Sequence, residues 1–229
     1  TSDEWIRERT GIANRYIAGE GETTVTLATE ASRNALTAAG IEAKDIDLII
    51  LATATPDQTF PASATRVQAA LGIDDCVAFD VAAVCSGFLY AVSVADSMIR
   101  SGAATRALVI GSETFSRILD WEDRATCVLF GDGAGAIVLT AGEADGPGVL
   151  ATKLHSDGKL GDILYVDGAV GRPDKPGHLV MNGREVFRYA VGHMSAAIDE
   201  TLAAAGLDRT AVDWLIPHQA NRQIGRAHV

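Results

Sequence analysis

An ungapped internal repeat constrains this chain more than any other feature. Moved along itself by 166 positions, the sequence lays ALTAAGIEAKDIDLIILATAT (35–55) on TLAAAGLDRTAVDWLIPHQAN (201–221). Leu36 falls on Leu202, Gly40 on Gly206, Asp47 on Asp213 and Ile50 on Ile216. Alanine is common here and gives a few matches by chance. A match without gaps that also keeps the order of elements points to duplication. Each copy reads as a helix, a glycine cap, an acidic turn and an apolar strand. The offset pairs residue 229 with residue 63, and it would place the mirror of GVLATKL (148–154) at −18 to −12. The expectation is therefore a pseudo-symmetric α/β chain cropped at both ends. Residues 1–145 form an N-terminal half without its first strand, and residues 146–229 form the start of a C-terminal half.

Periodicity fills in the rest. Helical spacing predicts helices over 24–39, 62–71, 86–101 and 183–205, with another starting near 219. Strands are predicted over 47–54, 76–82, 106–112, 126–131, 134–141, 148–155 and 213–217. Strands alternating with helices imply mostly parallel sheets layered with helices. The connection 156–180, rich in Gly, Asp and Pro, reads as a surface excursion near a site.

Charge removes several functions. A formal net charge of −11 argues against a nucleic-acid or anionic-membrane binder, because such partners need clustered Lys and Arg. The three cysteines, Cys76, Cys85 and Cys127, have no metal-ligand spacing, and His155, His178 and His193 share no short spacing. No metal is assigned, and a reducing cytoplasm fits. No apolar run reaches membrane-spanning length and no signal peptide is visible.

Cys85 is the first candidate for chemistry. The strand-like run from Cys76 to Val81 leads through small residues into Cys85, and a helical pattern begins at once, with Phe88, Val92, Ala95 and Ile99 on one face. Gly87 and Ala91 are small enough for a neighbour to pack close. A thiol at a helix N-terminus meets unpaired N–H groups and the positive dipole end, which favour the nucleophilic thiolate. The competing reading is a buried structural cysteine. His218, in IPHQAN, follows the second-copy strand, where α/β sites assemble, and Asn221 stands three residues on. Alone, this is equally a surface turn with a capping Asn. Beside Cys85 it makes a Cys–His nucleophilic arrangement. GDGAGA (131–136) lacks the helix that a dinucleotide fingerprint needs, and reads as a tight turn with close backbone approach. Ser2 or Asp3 caps a short helix that puts Trp5 and Arg9 on one face, able to stack an adenine and pair with a phosphate, or merely to pack. Arg124 is ambiguous by itself.

Together, TSDEWIRERTGI (1–12), AAVCSGF (82–88), LFGDGAGA (129–136), MNGREVFRYAV (181–191) and PHQAN (217–221) resemble the hallmark segments of the thiolase superfamily, and within it the β-ketoacyl-acyl-carrier-protein synthase III family. The resemblance implies a thiolase-like duplicated α/β fold and a cytoplasmic homodimer. It implies condensation of an acyl-CoA primer, acetyl-CoA foremost, with malonyl-acyl-carrier protein, initiating type II fatty acid synthesis. Both thioesters are substrates, and no cofactor is implied. Position by position, Cys85 resembles the acylated nucleophile and His218 one of its catalytic partners. Trp5 and Arg124 are similar to the pair that sandwiches the CoA adenine, and Arg9 to a phosphate contact. Gly183, Phe187 and Asn221 match residues lining the pantetheine tunnel, and Phe60 one that closes the partner subunit's primer pocket. Arg184 departs from the pattern, standing where some relatives carry a neutral polar residue. A third catalytic residue, an Asn, is expected downstream of the chain. Two other readings remain: a condensing enzyme of secondary metabolism with another primer, and a non-catalytic scaffold subunit of a synthase.

Overall fold

A computed structural model describes residues 2–143, 146–168, 172–175 and 177–220. In chain order the elements are α1 (Asp3–Thr10), α2 (Thr24–Ala39), β1 (Leu48–Ala52), α3 (Ser63–Ala70), β2 (Val77–Val81), α4 (Gly87–Arg100), β3 (Arg106–Thr114), β4 (Asp132–Thr140), β5 (Leu164–Val166), β6 (Leu179–Met181) and α5 (Gly183–Ala205). They fall into two compact units. One comprises Ile17–Thr114 and Asp132–Val149, and the other Thr1–Tyr16, Phe115–Gly131 and Leu150–Val229.

The first of these units is a four-stranded sheet in the order β2-β1-β3-β4. β1 runs parallel to both β2 and β3, and β4 closes the edge antiparallel to β3. β1 is LIILA with every side chain buried, as a strand covered on both faces must be. Its side chains alternate between two cores. Ile49 and Leu51 join Leu108 and Ile110 beneath α2 and α3. Leu48, Ile50 and Ala52 join Ala107 and Val109 beneath α4. The deepest stripe of α4 is Gly87, Ala91 and Ala95, with the larger Phe88, Val92 and Ile99 flanking it half-buried. Small residues thus carry the close approach to the sheet.

Caps fix the helix ends. Thr23 and Thr26 form a capping box at the start of α2, and Asp57 accepts the N–H groups of Thr24 and Val25 at 3.0 Å each. Gly40 ends α2 in the left-handed region at φ 65°. In the other unit, Gly206 ends α5 in the same way at φ 69°. Each glycine is followed by a 3₁₀ turn, Ala43–Asp45 and Arg209–Ala211, so the repeat offset of 166 is kept in the backbone.

The repeat then diverges. The strand expected over 213–217 is not formed: Trp214 and Ile216 are 85% and 86% exposed, and no strand lies alongside among the described residues. The strands expected over 126–131 and 148–155 are also absent. Turns occupy 121–129, where Asp120 and Asp123 accept the N–H groups of Glu122 and Ala125 at 2.9 Å each. Val149 gives its carbonyl to Arg100 at 2.7 Å and to no strand. Conversely, the excursion 156–180 contains order, because β5 and β6 pair there as an antiparallel ribbon. GDGAGA is not a turn: Asp132 to Ala136 begin β4 itself. Only Gly131 meets the expected close approach, since a Cβ there would lie 3.0 Å from the Tyr16 carbonyl oxygen.

Asp47, the residue that opens β1, ties the sheet together. Its carboxylate accepts from the Thr105 N–H at 2.7 Å, from the Arg106 N–H at 3.0 Å and from the Thr105 hydroxyl. Burial pushes its pKa up, but these donors outweigh burial and hold it below the usual value. Asp47→Ala is expected to lose about 2 kcal/mol in urea unfolding near neutral pH. Because the folded-state pKa is depressed, this contribution is present above the ordinary carboxyl range and is lost as pH falls through the lowered value. The gap between variant and parent should therefore close in acid.

Candidate active site

Cys85 stands at the C-terminal end of β2, in a one-turn 3₁₀ helix, Val84–Ser86, that runs directly into α4. Two observations show how sharply the chain turns. Val84 has φ 47°, the left-handed region, and is the sole non-glycine residue there among the described residues. For a β-branched residue this conformation is strained by about 1–2 kcal/mol. Gly87 is buried, and a Cβ on it would lie 3.2 Å from Cβ of Ala52 and 3.8 Å from the Val81 carbonyl oxygen. The glycine lets the start of α4 rest on the end of β1, and Val84 absorbs the change of direction just before Cys85.

The electrostatics correct one expectation. The Cys85 residue reaches the surface, yet protein crowds its sulfur closely enough that burial pushes the thiol pKa up. A backbone hydrogen bond at Cys85 itself works in the opposite direction, and the Glu113 carboxylate adds to the rise. The net direction is towards thiol, not thiolate as the helix N-terminus alone would give. Desolvation disfavours the anion, and a neighbouring negative charge does so again.

Beneath Cys85 the ends of β1 and β3 are joined by hydroxyl and carboxyl groups. Glu113 accepts the Ala54 N–H at 2.8 Å and the Thr55 hydroxyl at 2.5 Å, with the Thr53 hydroxyl at 3.4 Å. Thr55 Oγ1 accepts the Thr114 N–H at 2.9 Å. The Thr24 hydroxyl donates to the Thr55 carbonyl at 2.6 Å, and the Ser112 hydroxyl donates to the Thr24 carbonyl at 2.8 Å. Neither Val84 nor Glu113 was singled out from sequence. The signal for Glu113 was a lone carboxylate ending the apolar strand RALVIGSET.

The other candidates divide between the units. Phe60 belongs with Cys85 and is 81% exposed, beside a cis peptide to Pro61. His218 belongs to the other unit, in an extended segment after the 3₁₀ turn at 209–211. Its residue surface is exposed, but the protein around the imidazole pushes its pKa down, so the ring is neutral at neutral pH. In that same unit Ser2 caps α1 by accepting the Trp5 N–H at 3.2 Å, and the Arg9 guanidinium lies 5.4 Å from the centre of the Trp5 ring. The pair expected on one face does meet, as a cation over an indole. Arg124 is exposed on the turn set by Asp120 and Asp123. Gly183 is the first residue of α5 after the Asn182 cap, and Phe187 lies half-buried one turn on. Arg184 is exposed beside them. Asn221 lies outside the described residues.

A cysteine at a strained strand-to-helix junction on a helix-layered, mostly parallel sheet is the arrangement expected of a thiolase-like fold. Comparison with known proteins bears this out. The family model for 3-oxoacyl-[acyl-carrier-protein] synthase III matches residues 79–158. The β-ketoacyl-[acyl-carrier-protein] synthase III of Rhizorhabdus wittichii is 70% identical over 224 residues, 98% of this chain and 70% of the relative. The crystal structure of 3-oxoacyl-[acyl-carrier-protein] synthase III from Aquifex aeolicus VF5 matches with a TM-score of 0.92 at 47% identity, over 100% of this chain and 71% of that one. That of the Pseudomonas aeruginosa PAO1 synthase III matches with a TM-score of 0.93 at 41% identity, over 100% and 70%. The chain belongs to the β-ketoacyl-[acyl-carrier-protein] synthase III family.

The strain at Val84 is testable. Its side chain is 48% exposed, so Val84→Gly removes little packing. Relief of about 1–2 kcal/mol is offset by about 0.5–1 kcal/mol of added chain entropy in the unfolded state. Stability in urea should stay within about 1 kcal/mol of the parent, while the rate of Cys85 alkylation by iodoacetamide changes because the turn no longer holds the sulfur in one place.

Proposed function

We propose that this chain condenses an acyl-CoA primer, acetyl-CoA foremost, with malonyl-acyl-carrier protein to a 3-oxoacyl-carrier, the opening step of type II fatty acid synthesis. Cys85 is the nucleophile. The observation that carries this is its placement: a thiol directly after a strained residue, at the carboxyl end of a parallel strand and the start of a helix. Membership of the synthase III family supports the reaction class.

The Cys85 sulfur attacks the primer thioester carbon, the C–S bond to CoA breaks, and the thiol proton leaves with CoA. N–H groups at the start of α4 are placed to receive the developing oxyanion. Malonyl-carrier then loses CO₂, and the electron pair becomes an enolate on the thioester. Neutral His218 donates a hydrogen bond to that oxygen, a contribution of about 3 kcal/mol by comparison with other oxyanion donors. The enolate carbon attacks the acyl group, the C–S bond to Cys85 breaks, and the departing thiolate takes a proton from solvent water. Trp5, Arg9 and Arg124 hold the CoA nucleotide, and Gly183, Phe187 and Asn221 line the path of the pantetheine arm. Phe60, exposed here, fits a residue that completes the pocket of a second copy, so the active form is a homodimer. No helix among the described residues is long and apolar enough to cross a membrane, and the cytoplasm is the proposed location.

Cys85→Ser should abolish the acyl-enzyme detected by intact mass, and His218→Ala should retain it while decarboxylative condensation drops about 10²–10³-fold. A normal acyl adduct on the first variant, or normal condensation by the second, contradicts the assignment. Because the His218 pKa lies below the ordinary 6.5, kcat for condensation should hold across neutral pH and fall only below that value. A separate outcome concerns Arg124. Its turn is held by Asp120 and Asp123, so Arg124→Ala should raise KM for acyl-CoA about five- to tenfold with kcat little changed.

A further inference from the structure

Glu113 is a half-buried carboxylate on the face of the sheet that carries α4. Alternation along β3 sets this: Ala107 and Val109 enter the core beneath α4, Gly111 lies against the Phe88 ring at 3.5 Å, and Glu113 is the next residue on that face. On the neighbouring strand Ala52 supports Gly87, and Thr53, Ala54 and Thr55 follow it directly onto the Glu113 carboxyl. Thr53 also donates its N–H to the Val81 carbonyl at 3.1 Å, which ties the same loop to the strand that delivers Cys85. The carboxyl group thus ties down a loop that is itself bonded to the end of the strand leading into Cys85.

We propose that Glu113 is a positioning residue for Cys85: its carboxyl clamps the 53–55 loop beneath the nucleophile and, by gaining or losing one proton, sets how readily the Cys85 thiol ionises. This rests on reading Cys85 as the nucleophile. Ionised, Glu113 opposes formation of the thiolate; protonated, it does not, and it still bonds to the loop. Burial pushes the Glu113 carboxyl up, while the bonds from Thr55, Ala54 and Thr53 hold it down, and the net direction is up.

Other charged groups on the surrounding elements are committed elsewhere. Asp80 of β2 accepts the N–H groups of Ser63 and Ala64 at the start of α3 at 2.7 and 2.8 Å. Asp57 accepts those of Thr24 and Val25 at the start of α2. Asp132 of β4 accepts the Ala18 N–H at 2.7 Å. From β1 only hydroxyl and backbone groups meet the carboxyl, and from the α4 junction the titratable group is Cys85 itself.

The test is the pH profile of Cys85 alkylation by iodoacetamide, read by peptide mass in the purified enzyme. In the parent, two coupled sites make the logarithm of the rate climb, flatten where Glu113 ionises, and climb again. Glu113→Gln should remove the flattened region and raise the rate at pH 7 at least about threefold. Glu113→Asp, which keeps the charge, should keep the flattened region even if it loosens the loop. Should the Gln variant not fold, the parent profile decides alone: a single unbroken climb overturns the proposal, as does a Gln profile that superimposes on the parent. Cys85 that resists alkylation at every pH would overturn the nucleophile assignment as well. Cys85 that reacts with an unmoved profile would overturn only the role of Glu113.

Discussion

The structure depends on one junction, the carboxyl ends of β1 and β3, where the apolar sheet gives way to a layer of hydroxyl and carboxyl groups. Parallel strands buried on both faces end with peptide groups that need partners. Here Thr53, Thr55, Ser112, Thr114 and Thr24 supply them, and Glu113 joins the layer from the α4 side. A partly satisfied layer at this depth would be worse than an apolar one, since each unpaired buried group costs about 1–3 kcal/mol. Satisfied, it stiffens the strand ends next to the turn that carries Cys85.

At that turn, strain and packing act in opposite directions on consecutive residues. Val84 is held in a conformation it disfavours, and Gly87 is required because α4 sits so close to Ala52. Small side chains along α4 place the helix against the sheet, and the short turn before it absorbs the change of direction. The outcome is a sulfur whose geometry is set by packing and whose ionisation is resisted by burial. If Cys85 acts as proposed, its reactivity comes from position more than from a standing thiolate.

Local signals were legible where the determinant is local. The C-terminal bounds of α2 and α5 follow from the glycine caps Gly40 and Gly206, which the repeat relates to one another, while the starts at Thr23 and Asn182 lie outside the repeat. Cys85, its strand and its helix were readable for the same reason. The strands over 126–131, 148–155 and 213–217 were not. Apolar composition suggests a strand, but a strand exists only beside another, and pairing is not written within a single segment. Asp120 and Asp123 bent the first into turns, and the other two have no strand beside them among the described residues. Glu113 was missed on the same ground, because its partners lie about sixty positions earlier in the chain. The direction of the Cys85 pKa was misread because a helix terminus is visible in sequence, whereas burial and a carboxylate from another strand are not.

Of the proposed roles, the one on which the others rest is that Cys85 carries the acyl group, with His218 proposed to act in the condensation that follows. The most direct measurement is a crystal structure of the enzyme trapped after reaction with an acyl-CoA primer. The account predicts continuous density from Cys85 Sγ into the acyl chain, with the His218 imidazole within hydrogen-bond reach of the site where the second thioester oxygen will lie. Acyl density on any other side chain, or a His218 ring walled off from the acylated sulfur, would contradict it.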